Sequence, residues 1–149
     1  MLKYFDPTST MTLHEAIQEL RAVEEQKRDV SVKMSSGMMQ AFEHHDAVHV
    51  LFGCGTAIQD EIAAHAWMVF GTTAKLSEMH HAVANREHRN VLLGIGHFKL
   101  FSIWVGCLPR IFTIIIKCLR MKKRLALEEL AKLKEQPLCD IRREYGIVV

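Results

Sequence analysis

The sequence predicts an all-α, single-domain helical bundle spanning residues 1–149, and three observations carry that expectation. Strand-like alternation of apolar and polar residues is scarce along the chain. Only two prolines follow residue 7, so little interrupts a helical period. Two Thr-x-x-Glu/Gln boxes, Thr12 with Glu15 and Thr56 with Gln59, stand directly ahead of segments with helical character. At 149 residues the chain is long enough to bury a core within one domain.

The first helix opens at Thr12 and keeps a helical period through Leu13, Ile17, Leu20 and Val23. Asp29 to Ser36 has no clear pattern. From Met38 to Phe52 neither Gly nor Pro intervenes, and Met38, Met39, Phe42, Val48, Leu51 and Phe52 supply apolar positions for a second helix. Gly53-Cys54-Gly55 stops it, and the Thr56 box starts a third helix with Glu61 in its second turn. Helices joined by so short a break pack antiparallel. Gly71-Thr72-Thr73 makes the next break, Ala74 to Val83 fits a short helix, and Asn85 to Asn90 is a polar turn. A long apolar stretch runs from Val91 to Leu119. It leads into a basic cluster (Lys117, Arg120, Lys122, Lys123, Arg124) and a last leucine-marked helix with Leu125, Leu127, Leu130 and Leu133.

Composition narrows the function classes. Charged residues make up 24% and hydrophobic residues 49%, which describes a globular chain. A formal charge of +2 is too small to indicate nucleic-acid binding. The cysteines at 54, 107, 118 and 139 form no CxxC pair, so free thiols in a reducing compartment are expected. Met1 to Thr10 has no cationic start followed by an apolar core, so the reading includes no secretion signal.

The most chemically specific pattern is His45, Asp46 and His49, followed after eleven residues by Glu61. At about 100° per residue the first three fall within an arc of about 100°, so their side chains can converge. The antiparallel pairing of the second and third helices then brings Glu61 towards them. Imidazole nitrogens with carboxylate oxygens suit zinc, and also iron or manganese where positions remain for water or substrate. His65, four residues after Glu61, shares its helical face and is a candidate partner behind the ligands.

The run His45-Asp46-Ala47-Val48-His49 with Glu61 resembles the HDxxH-(x11)-E signature of the coenzyme Q (ubiquinone) biosynthesis protein 4 family. Phe42 to Gly53 resembles the segment around that signature, and Pro137-Leu138-Cys139-Asp140-Ile141-Arg142-Arg143-Glu144-Tyr145-Gly146-Ile147 resembles the family's closing PL…LR…GI pattern. Ala47-Val48 departs from it, standing where an aromatic residue is common. The resemblance implies a helical protein with a divalent metal on His45, Asp46, His49 and Glu61. It also implies a prenylated benzoquinone precursor as ligand, a peripheral place on a membrane surface (the cytoplasmic face, if bacterial), other ubiquinone-biosynthesis enzymes as partners, and compatibility with a homo-oligomer. The associated step is oxidative decarboxylation of the head group; the alternative role is a non-catalytic lipid-binding scaffold.

Two further patterns bear on function. The Val91 to Leu119 stretch is interrupted by His97, Lys99, Pro109 and Arg110, which makes it a poor transmembrane candidate, and Pro109 is expected to kink or end a helix. It reads as the central buried helix of the bundle, part of which, with Phe101 and Trp104, lines a groove for a lipid tail or dips into a membrane surface. Glu78 and His81 form one ExxH, half of a ferritin-like dimetal motif, and no second ExxH occurs. An HD-type metal hydrolase would need an upstream His and a downstream Asp, for which His14 and Asp140 are available. His44, His80 and His88 sit in polar contexts and are expected to face solvent.

Overall fold

The N-terminal segment is tied down by side chains that the helices behind it supply. A computed structural model describes residues 2–25, 36–74 and 97–149. Among the described residues the elements are α1 (Leu13–Glu25), α2 (Ser36–Leu51), α3 (Ile58–Gly71), α4 (His97–Arg120), α5 (Leu130–Leu133) and α6 (Leu138–Tyr145), with 3-10 turns at Lys3–Phe5 and Leu127–Glu129 and no strand. The fold is the expected all-α bundle. Expectations for Asp29 to Ser35, for Ala74 to Val83 beyond residue 74, and for Asn85 to Asn90 lie outside the described residues, as do Glu78, His80, His81 and His88.

The α1 box forms as expected: Thr12 N–H donates to Glu15 Oε2 at 2.8 Å, and Glu15 N–H donates to Thr12 Oγ1 at 3.2 Å. Its apolar face, with Leu13, Ile17 and Leu20 all buried, packs on α2. The second helix buries Val48, Val50 and Leu51 in the same core and ends where Gly53 takes a left-handed φ of 64°. Phe52 beyond it stacks on Trp67 of α3 at 4.3 Å between ring centroids. Packing then continues from α3 onto α4.

The C-terminal segment closes the bundle around one buried cation. Arg142 on α6 donates to the carbonyls of Leu51 (3.0 Å), Asp6 (2.8 Å), Tyr4 (2.6 Å) and Val50 (2.9 Å). It thereby supplies donors to carbonyls at the end of α2, where helical donors run out, and joins them to the N-terminal turn. Gly146, at φ 71°, ends α6; a Cβ there would stand 2.9 Å from the Lys122 backbone nitrogen, so the close approach needs glycine.

Four local expectations are corrected. The cap of α3 is Ala57, with no side-chain cap hydrogen bond, and the helix starts at Ile58, so Thr56 is not the cap residue and Glu61 stands in the first turn. Pro109 does not end α4, which runs unbroken from His97 to Arg120. The carbonyl that Pro109 leaves without a helical donor belongs to Val105, exposed where water can replace the lost bond. Nor is α4 a central buried helix. Cys107 and Ile114 are buried, but Phe101 is 63% exposed, Trp104 51%, Phe112 63% and Leu119 81%. Finally, Leu125 lies outside a helix: it bridges Thr72, giving its N–H to the Gly71 carbonyl at 2.8 Å, and only Leu130–Leu133 forms α-helix after the 3-10 turn. All four leucines are nevertheless buried.

Candidate metal centre

The turn after α2 folds α3 back so that one carboxylate meets two imidazoles. His45 and His49 stand one turn apart on α2, their rings 4.5 Å apart between centroids. Glu61 reaches both: Oε2 lies 3.5 Å from His45 Nε2, and Oε1 lies 3.5 Å from His49 Nε2. The ligand atoms of the three residues fall within 4.8 Å of one another. His49 is 1% exposed, whereas the His45 and Glu61 side chains keep a partly open side.

The separations are compatible with a shared cation. An ordinary N–H···O bond is about 2.9–3.0 Å long. Two ligand atoms bound tetrahedrally to one zinc at about 2.0–2.1 Å stand about 3.3–3.4 Å apart. The observed 3.5 Å separations run to two different oxygens of Glu61, and the three ligand atoms together lie within 4.8 Å, which leaves room for an ion between them.

The state of His49 follows from its two neighbours. Its Nδ1 lies 2.9 Å from the Gly55 carbonyl, and a carbonyl only accepts, so Nδ1 carries the proton. In the neutral ring Nε2 is then a lone pair, buried and facing a carboxylate oxygen. Something positive must lie between them: a proton or a metal. Burial opposes charging of His49, but the Glu61 carboxylate facing Nε2, the Gly55 carbonyl and Asp46 outweigh it and hold the imidazolium pKa above its ordinary value.

Asp46 does not join this group of ligand atoms. Its carboxylate is buried and accepts from Arg21 Nε of α1 at 2.7 Å. His65, on α3, does border the site: its ring is 5.4 Å from that of His45, and its Nδ1 lies 2.7 Å from the Glu61 carbonyl. His44 is half-buried rather than solvent-facing. His14 and Asp140 are exposed and outside the cluster, so the described residues assemble no HD-hydrolase set.

No family model, curated protein or solved structure matches this chain. The site therefore has to be read from its own geometry. Two contributors were not visible beforehand. Arg21 sits on the polar side of α1 with nothing in its neighbourhood to tie it to a residue 25 positions later. The Gly55 carbonyl is backbone, and its only signal was the Gly-Cys-Gly break itself.

The surroundings fix the orientation of this turn. Arg110 of α4 donates to Asp60 Oδ1 at 2.7 Å, beside Glu61. Tyr4 Oη donates to the Cys54 carbonyl at 2.9 Å. The Cys54 thiol is buried, and burial pushes its pKa up to about 12, so it offers no thiolate to the site.

Proposed function

We propose that this chain is a metal-dependent protein of ubiquinone biosynthesis that binds a prenylated benzoquinone precursor and takes part in oxidative decarboxylation of its head group. The observation that supports the metal part of the reading is the convergence of His45, His49 and Glu61 across the α2–α3 turn, and the ubiquinone part rests on the resemblance of the sequence around them. Zinc fits the nitrogen and oxygen donors, with iron or manganese as alternatives. When bound, such an ion supplies Lewis acidity to a coordinated carboxylate or phenolate, or dioxygen chemistry if it is iron.

The protein's own groups do the rest. His49, anchored through the Gly55 carbonyl, forms the sealed wall of the site. His45 and Glu61 leave the partly open side from which a head group approaches. The exposed apolar side chains of α4, among them Phe101, Trp104 and Leu119, offer a surface for a polyprenyl tail or the acyl layer of a membrane. Phe101–Arg120 has the length and composition of a bilayer span, yet Arg110 stands at its middle paired with Asp60 and the helix packs on α3, which supports a helix lying along the interface with anionic headgroups near its basic end.

A scaffold that holds the lipid for neighbouring enzymes is the second reading, favoured by the extent of that exposed apolar face. The two separate in one experiment: purified protein loaded in turn with zinc, iron or manganese, given a prenylated 4-hydroxybenzoate under air. Metal-dependent turnover that disappears in His49→Ala supports the enzyme. Binding of the lipid with no turnover under any of the three metals refutes catalysis and leaves the scaffold.

A further inference from the structure

The first turn of α3 carries Glu61 and is held from outside by α4. Arg110, in the middle of that helix, donates from Nη2 to Asp60 Oδ1 at 2.7 Å and from Nη1 to the Gln59 carbonyl at 3.4 Å. The second oxygen of the same carboxylate faces the α2–α3 turn. A Cβ built on Gly55 would stand 2.7 Å from Asp60 Oδ2, closer than side chains tolerate. Gly55 has no positive φ, unlike Gly53, so what calls for glycine here is the approach of Asp60 and not the backbone conformation. The Gly55 carbonyl is the group that accepts from His49 Nδ1 at 2.9 Å. One carboxylate therefore lies against the residue that orients His49 and directly precedes Glu61, whose oxygens face both imidazoles.

From this arrangement we propose that Arg110 and Asp60 are positioning residues of the metal centre. The guanidinium holds the Asp60 carboxylate against Gly55; that contact sets the Gly55 carbonyl towards His49, and the first turn of α3, with Glu61, towards His45 and His49. The proposal rests on the metal reading of His45, His49 and Glu61 and adds the residues that hold its geometry. The side chains of the pair are 44% and 23% exposed, so as a surface ion pair it contributes little to global stability. Its effect is local and geometric. It also makes α4, whose outer face is apolar and exposed, part of the support of the centre.

Zinc affinity of the full chain, measured against a chromogenic chelator, should fall about tenfold in Arg110→Gln and in Asp60→Ala. The double variant should lose no more than either single one, because both changes remove one link. Arg110→Lys, which keeps the charge, should recover part of the affinity. Gly55→Ala should match the single losses, since its methyl displaces the Asp60 carboxylate, and the visible spectrum of the cobalt-loaded protein should shift in all of these except the lysine variant. Lys123→Ala, which removes the 2.6 Å pair with Glu144, should leave affinity and spectrum as in the wild type. Wild-type affinity and spectrum in Arg110→Gln and Asp60→Ala overturn the proposal, whatever happens to the melting temperature or to the folding of Gly55→Ala. So does a loss in the double variant equal to the product of the two single losses. Wild-type protein that takes up no zinc refutes the metal centre itself, a separate result.

Discussion

Replacing Arg142 by Met should destabilise the protein by about 3–5 kcal/mol. The side chain is 3% exposed, and its guanidinium donates to four carbonyls, those of Tyr4, Asp6, Val50 and Leu51. Each hydrogen bond from a charged donor contributes about 1.5–3 kcal/mol net, which would give about 6–12 kcal/mol if the four added. They do not add, because one desolvated cation makes all four and water can reach the Asp6 carbonyl at the surface. About 3–5 kcal/mol is what remains once burial of the charge is offset against its bonds. For a chain of this size that lowers the melting temperature by about 6–20 °C, measured by circular dichroism with the wild type in the same buffer. Lysine keeps the charge but not the fork, and should recover only part of the loss. A melting temperature within about 2 °C of wild type for Arg142→Met would refute the reasoning, since the four carbonyls would then be satisfied without the guanidinium. The effect should also reach the site, because Val50 and Leu51 directly follow His49: zinc affinity should weaken in the variant at temperatures where it remains folded.

Three further outcomes follow from the same geometry. His49 is held above its ordinary pKa in the metal-free fold, so its contribution to apoprotein stability is present below the unfolded pKa of about 6.5 and is lost as pH rises through the folded value; chelator-treated protein should lose stability over that window, and Glu61→Gln should flatten the dependence. A Phe101→Ser, Trp104→Ser double variant should lose flotation with anionic vesicles while keeping its helical spectrum, because both side chains are exposed on α4; unchanged flotation contradicts the surface role. The Cys54 thiol, pushed to about 12 by burial, should stay unmodified by a thiol reagent at pH 8 in folded protein and react on unfolding.

Much of the architecture is written in local signals. The Thr12–Glu15 box, the uninterrupted run through α2 and the break at Gly53 act within one or two helical turns, so the sequence shows them directly. His45, His49 and Glu61 were legible for the same reason, since helical period and a short turn suffice to bring them together. The misses depend on non-local competition. Thr56 has the chemistry of a cap, but the cap position falls on Ala57, whose backbone is extended at φ −79° and ψ 156°, and Thr56 is left one residue outside it. Pro109 would break a buried helix, whereas on an exposed face water takes up the freed carbonyl. Hydrophobicity alone suggested that α4 is buried; what decides burial is the neighbours available, and α3 covers only the side with Cys107 and Ile114. The Arg21–Asp46 pair joins residues 25 positions apart, and nothing near either in sequence announces it.

The metal content of the purified protein tests the central claim most directly. Elemental analysis after loading with zinc and removal of excess should give about one ion per chain in the wild type, and a small fraction of that in His45→Ala, His49→Ala and Glu61→Ala. Equal stoichiometry in all four proteins, or none in the wild type, would contradict a metal centre across the α2–α3 turn.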